Sequence, residues 1–203
     1  MIAALQDAGS RVKFFAAQSL GKLHAPAAVP ALLAAARANA DADAFLRHAL
    51  VLGLAGCATP AQLAATATDE ARPVRLAALL ALRRQASAEI AVFLQDQDPL
   101  LVREAALAIN DQPIPAAFPA LAAVLTKPGK DQPTLLRALN AGFRLGTTEQ
   151  AAALAAVALS AERAPVLRAE AVTLLSEWAQ PPARDRNVGI FRPVSATGRT
   201  PDA

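Results

Sequence analysis

The sequence predicts an all-α fold, an α-solenoid of about six helical hairpins wound as a right-handed superhelix, and three observations carry that expectation. An apolar–basic pair recurs as Val12-Lys13, Leu46-Arg47, Val74-Arg75, Val102-Arg103, Leu136-Arg137 and Leu167-Arg168, at spacings of 28 to 34 residues. That period accommodates two helices and a turn. Ala, Leu, Arg, Glu and Gln, all good helix formers, dominate the long segments, and alternation of the strand type is scarce. Proline and glycine fall between those segments, at Ala25-Pro26, Thr59-Pro60, Ile114-Pro115, Pro128-Gly129 and Pro181-Pro182, and so mark corners.

Taken in order, the first unit is a helix over Ser10–Leu23, with Gly21 near its C-terminal end, a turn at His24–Ala27, and a return helix from Ala28 to about Ala38. The second starts at Asp43, ends its first helix at Gly53 and Gly56, and restarts at Pro60 for a short helix to Ala67. The third spans Asp69–Leu94, with Arg75–Leu82 in its first helix and Ala88–Leu94 as its second. The fourth, Asp96–Leu125, begins its helix at Asp98-Pro99, ends it at Asn110-Asp111 and returns over Ala116–Leu125. Units five and six span Asp131–Leu159 and Ala161–Trp178.

Each basic residue of the recurring pair sits in the first turns of its helix, where the helix dipole disfavours a cation, so another interaction has to hold it there. An acid precedes each one. Asp98 lies five residues before Arg103, Glu70 five before Arg75 and Asp43 four before Arg47; Asp7, Asp131 and Glu162 each lie six before Lys13, Arg137 and Arg168. The same acids suit N-cap and first-turn positions. This pattern resembles the HEAT-repeat family over about residues 1–178. The resemblance implies a ladder of charge-assisted hydrogen bonds across successive repeats, built from the twelve residues just named. It also implies a binding scaffold, since HEAT domains act mainly by presenting surface. Units two, five and six depart from the pattern with Leu for Val, unit one has Lys for Arg, and unit six offers Glu162 with no Asp.

Two further stretches are similar to the HEAT-repeat section of planctomycete-type haem-binding, membrane-bound dehydrogenase-like proteins. They are Asp96–Pro115, in which Ala108-Ile109-Asn110-Asp111 is the telling part, and Trp178–Pro193. In that family a sugar-dehydrogenase-like propeller precedes the repeats and a c-type cytochrome follows. The resemblance therefore implies the middle section of a larger, periplasmic redox protein, with the chemistry elsewhere. Cys-x-x-Cys-His does not occur in the sequence, so no cofactor is expected in this chain.

Charge and composition narrow the function classes. Of the net +3, only +1 falls before Gln180, so the repeat body is nearly neutral and nucleic acid is not the expected partner. No apolar run reaches the roughly 18 residues of a membrane-spanning helix, so membrane insertion is not expected. Protein, or neighbouring domains of a parent chain, is the expected partner. His24 in a turn and His48 in a helix match no metal-ligand spacing, and Cys57 beside Gly56 reads as a small buried hydrophobe. Glu104 and Glu170 fall close to ladder arginines but turn away from them on the helix, and Arg83-Arg84 complements a helix C-terminus. Neither a catalytic nor a metal site is expected. The alternative is a HEAT-like enzyme of the DNA glycosylase or phycobilin lyase type, which a basic groove holding Trp178 or a buried carboxylate would favour. Residues 179–203, rich in Pro and Arg, lose helical periodicity and read as an extended or disordered tail, the start of a missing domain. Within it, Val188-Gly189-Ile190-Phe191 is a candidate first strand or a patch laid on the last repeat.

Overall fold

The computed structural model describes residues 1–127 and 129–199, which form α-helices and short 3₁₀ segments with no β-strand among them. The chain divides into two compact units, Met1–Phe93 and Leu94–Ala203. The first holds α1 (Ser10–Lys22), α2 (Val29–Asn39), α3 (Ala44–Cys57), α4 (Pro60–Ala64) and α5 (Arg72–Arg84). The second holds α6 (Pro99–Asp111), α7 (Phe118–Ala122), α8 (Gln132–Leu145), α9 (Thr148–Leu159) and α10 (Pro165–Ser176).

Helix starts follow local chemistry. The carboxylates of Asp43, Asp98 and Asp131 accept amide hydrogen bonds in the first turns of α3, α6 and α8, and Thr59 with Gln62 forms a capping box on α4. Each satisfied amide is one that the helix itself cannot serve. Three ends use an αL residue other than glycine: Ala40 (φ 46°) caps α2, and one residue past the caps His24 (φ 49°) closes α1 and Ala86 (φ 50°) closes α5. At His24 and Ala86 the next amide reaches back to the helix, Ala25 N–H to Leu20 O at 3.3 Å and Ser87 N–H to Leu82 O at 3.1 Å. These are Schellman closures, a geometry that glycine adopts with less strain.

Within each unit, first helices pack on first helices. In the first unit α1 lies on α3 and α3 on α5, with α2 and α4 against them; in the second, α6 lies on α8, and α8 meets α7, α9 and α10. The core is aliphatic and thin: Leu50, Leu54, Leu79, Leu82, Leu101, Ile109 and Leu121 are fully buried among many alanines. Burying one Leu contributes about 1.5–3 kcal/mol, so such a set dominates the stabilisation.

The α1–α3 crossing is closest of all at its glycines. A Cβ on Gly21 would stand 2.7 Å from Leu52 O, one on Gly53 2.9 Å from Ala17 O, and one on Gly56 would land on Gly21 O. The helix ends at Cys57, beside Gly56 as expected, but Gly53 and Gly56 lie within the last turns of α3 and serve close approach as well.

The return helices differ from expectation in units three and four. Ala88–Gln95 is 3₁₀, and the Ala116–Leu125 stretch is a 3₁₀ turn, the short α7 and a second 3₁₀ turn. Pro115 and Pro119 remove two amide donors there, and the segment is too short to recover the loss by propagation. Unit six, Ala161–Trp178, contains the single helix α10 and no return helix, because Pro181-Pro182 follows at once.

The tail also differs from expectation. Residues 179–199 carry no helix but are docked, with Asp185 and Arg199 both buried. A tight loop holds the segment's own shape: Asp185 N–H donates to Ile190 O at 2.9 Å and Arg192 N–H to Ala183 O at 2.8 Å. Val188–Phe191 lies in this loop with an isolated antiparallel bridge between Arg184 and Phe191, and no strand develops. Pro201 and the other residues from 200 onward fall outside the described residues, as does Pro128.

Candidate functional site

Buried polar side chains collect in the second unit. Asn110, Thr134, Asn140, Asp185 and Arg199 are all buried there, whereas the first unit buries Arg75 among its described residues. Asn110 sits in the last turn of α6 and Asn140 in the second half of α8, in largely apolar stretches. Asn140 Nδ2 donates to Asn110 Oδ1 at 2.8 Å and to Asp185 Oδ2 at 2.8 Å, which ties the two helices to the tail. Asn110 Nδ2 in turn donates to Asp111 Oδ1, and Asp111 receives Arg137 at 3.0 Å.

Asp185 is the hub. Its side chain has no exposed surface; Oδ1 accepts from the amides of Asn187 and Val188, and Oδ2 from Asn140, Arg144 and Arg192. Burial pushes this carboxyl up, but the hydrogen bonds from Arg192 and Asn140 more than offset it and hold it below the usual Asp range. Arg144 and Arg192 also brace the backbone, donating to Arg192 O at 3.1 Å and Asn110 O at 2.7 Å. Burial and the neighbouring Arg192 lower the Arg144 guanidinium from its ordinary value.

A second anchor lies further along. The Arg199 guanidinium sits 4.6 Å from the Trp178 ring centroid and 4.8 Å from that of Phe143, and it donates to Phe143 O. Phe143 and Trp178 themselves meet edge to face at 5.8 Å. A desolvated cation between two rings is a strong case of cation–π attraction. Gly146 (φ 72°) closes α8 beneath it, where a Cβ would stand 2.8 Å from the guanidinium.

The residues expected to build the ladder have other partners. Arg103 pairs with Asp131, 28 residues on and at the start of α8, not with Asp98 five residues before it. Asp98 and Asp43 direct their carboxylates to their own helix amides, and an acid used as N-cap faces away from a residue five positions on. Asp131 serves both: it takes Arg103 and caps α8 through Thr134 N–H and the Thr134 hydroxyl. Burial raises its carboxyl, and these bonds bring it below the usual range, while Asp131 raises Arg103 in return.

Elsewhere the pairing shifts again. Arg137 takes Asp111 in place of Asp131, and Arg47 takes Asp41 at 3.5 Å in place of Asp43. Arg75 is buried and donates to the backbone carbonyls of Asp69 at 2.8 Å and Glu70 at 3.2 Å, so Glu70 serves through its main chain. Arg168 donates to Ala158 O at 3.1 Å, Asp7 accepts from Gly9 N–H, and Lys13 and Glu162 have no ion pair among the described residues. In the first unit two pairs were not legible from the recurring motif: Arg37 grips Asp69 through both carboxylate oxygens at 2.7 and 2.8 Å, and Arg72 reaches Asp41 at 3.0 Å.

The remaining singled-out residues are placed as follows. Cys57 is buried, its thiol 3.2 Å from Leu20 O and pushed up by burial, which disfavours the thiolate that a nucleophile requires. His48 is exposed on α3, and His24 Nδ1 lies 2.9 Å from Gly56 O. Glu170 joins Arg186 at 2.8 Å, so it ties α10 to the tail. Among the described residues no group of three or more His, Cys, Asp and Glu is arranged to hold a metal ion, and no helix is long and apolar enough to cross a membrane.

No protein-family model matches the chain, and no curated protein matches it.

Proposed function

We propose that the chain is a non-catalytic scaffold of HEAT type, a right-handed α-solenoid that acts as a spacer or docking surface between proteins or domains. The observation that carries the reading is the set of large apolar side chains left in water by hairpins that are otherwise tightly packed. Phe45 is 82% exposed in the first turn of α3, and Phe15 is 54% exposed on α1. We assign these side chains to the docking surface; exposed apolar surface marks a contact site where it forms a contiguous patch. The stacking of first helix on first helix within each unit, and the Arg103–Asp131 pair across successive hairpins, support the HEAT assignment.

The same reading favours anchoring over catalysis for the one buried carboxylate described above. Asp185 has its lone pairs occupied by five donors and is held ionised, and Trp178 is covered by Arg199 and Phe143. A general acid or base needs an accessible atom and a pKa near the working pH. In this reading the scaffold is a section of a haem-binding dehydrogenase-like parent in the periplasm with protein as its partner, and the resemblance of Asp96–Pro115 and Trp178–Pro193 supports it.

The test has two arms. The reading frame flanking the coding region is sequenced for a propeller upstream and Cys-x-x-Cys-His downstream, and the encoded neighbours are mixed with this chain. Binding that is weakened by Phe15→Ser and Phe45→Ser is expected. Saturable turnover of a substrate by the purified chain alone would overturn the non-catalytic reading.

A further inference from the structure

Asn110, Asn140 and Glu170 stand at equal steps along the sequence on α6, α8 and α10, one polar side chain for each successive hairpin of the second unit. The loop of the tail meets all three helices. Arg192 Nη1 donates to Asn110 O at 2.7 Å, Asn140 Nδ2 donates to Asp185 Oδ2 at 2.8 Å, and Arg186 Nε donates to Glu170 Oε1 at 2.8 Å. Three consecutive side chains of the loop are each met by the helices beneath. Asp185 takes Asn140 and Arg144, Arg186 takes Glu170 and Glu177, and Asn187 Nδ2 donates to Leu136 O at 3.1 Å.

Such a floor selects more than it fastens. Buried ion pairs replaced by well-packed apolar residues often leave stability unchanged or raised, whereas charged and amide groups restrict strictly which side chains can sit on them. The loop is also shaped by its own bonds. Asp185 N–H donates to Ile190 O at 2.9 Å, and Asp185 Oδ1 accepts from the amides of Asn187 and Val188 at 2.9 and 3.1 Å, so the turn closes without help from the helices. A turn already in its bound shape loses little entropy on docking.

The fit has one fault. Arg144 from α8 and Arg192 from the tail both address Asp185 Oδ2, and the Nε of each is buried with no hydrogen-bond partner among the described residues. Burial and then the neighbouring Arg192 lower the Arg144 guanidinium, the mark of two like charges held together. The tail thus brings a cation that α8 already supplies, and a loop without it would leave Arg144 and the carboxylate as a matched pair.

We propose that this face of α6, α8 and α10 is a recognition site for a loop of another protein that presents acid, base and amide side chains in succession, and that the chain's own Asp185-Arg186-Asn187 fills it in the partner's absence. The site is separate from Phe15 and Phe45 and stands if the scaffold reading fails.

The experiment measures fluorescence anisotropy of a labelled peptide of residues 183–192 against the full chain carrying Asp185→Ala, whose own loop is no longer held. Saturable binding is expected, at least roughly tenfold tighter than to the wild-type chain, where the tethered loop competes at an effective concentration approaching millimolar. The Asp185→Ala peptide should bind roughly tenfold or more weakly, the loss typical of a charged hydrogen bond, and the Arg192→Gln peptide at least as tightly as the parent. Adding Glu170→Arg to the chain should weaken the parent peptide and restore part of the binding to an Arg186→Glu peptide. A readout that needs no variant is NMR of the ¹⁵N-labelled wild-type chain, in which excess unlabelled peptide should move the Asn187 and Gly189 amides towards random-coil positions. No saturable binding to Asp185→Ala together with no displacement in the wild type, or equal binding of the parent and Asp185→Ala peptides, would overturn the proposal. Dimerisation of the wild type that Asp185→Ala abolishes would give the site to a second copy and overturn it likewise.

Discussion

Asp185→Ala tests whether the tail is a structural part of the second unit. The carboxylate is fully covered, and its loss strands Arg192, Arg144 and Asn140 along with the Asn187 and Val188 amides. Removing one partner of a buried ion pair costs about 3–5 kcal/mol, because the opposite charge stays behind. A small domain has only about 5–15 kcal/mol in total, so the unit has a cheaper response: it releases the tail and hydrates the arginines. The loss in global stability is then limited to the docking energy of residues 179–199. Local cleavage is the sharper readout. Limited trypsin digestion followed by mass spectrometry is expected to cut Asp185→Ala rapidly after Arg184 and Arg186 while the helices persist, and urea unfolding should show a lowered midpoint. Asp185→Asn keeps an acceptor for the turn amides but no charge, and should fall between the two. Equal cleavage rates and equal urea midpoints for wild type and Asp185→Ala would refute the hub.

Gly56→Ala places a methyl on Gly21 O, where backbone cannot yield, and is expected to destabilise the first unit by about 1–3 kcal/mol or more, read from the urea midpoint. Ala86→Gly relieves the left-handed strain at the end of α5 and is expected to raise stability by up to about 1 kcal/mol; a lower melting temperature would count against the Schellman closure. Acid should weaken the second unit. The Asp131 and Asp185 carboxyls lie below their ordinary values when folded, so the unfolded chain takes up their protons first. Their stabilisation is complete above about pH 4, the unfolded Asp range, and is lost as pH falls below it. Urea midpoints at neutral and acid pH check this, and Asp185→Asn should flatten the dependence.

The helical character and the starts of several helices were legible because they rest on local chemistry. Asp43, Thr59, Asp98 and Asp131 cap the helices that their positions announce. The partners of the ladder were not, because a carboxylate used as a cap cannot also face a residue five positions on, and the arginine then reaches another segment, as Arg103 does to Asp131. Gly53 and Gly56 read as punctuation, since a sequence does not say whether a glycine ends a helix or lets another backbone approach. The Asn110–Asn140–Asp185 network was missed although a signal existed. A lone Asn within an Ala, Leu and Ile run is a buried polar group in need of a partner, and Asp185-Arg186-Asn187 has the spacing of an Asx turn.

The α1–α3 crossing has a dynamic consequence. Where Gly21, Gly53 and Gly56 meet, main chain touches main chain, and no layer of side chains lies between to change rotamer and open a gap. Separating these helices even slightly forfeits the contact outright, since dispersion fades within an ångström. Their amide protons should therefore exchange with solvent at a common rate set by one concerted opening, and α1 and α3 should breathe as a single body.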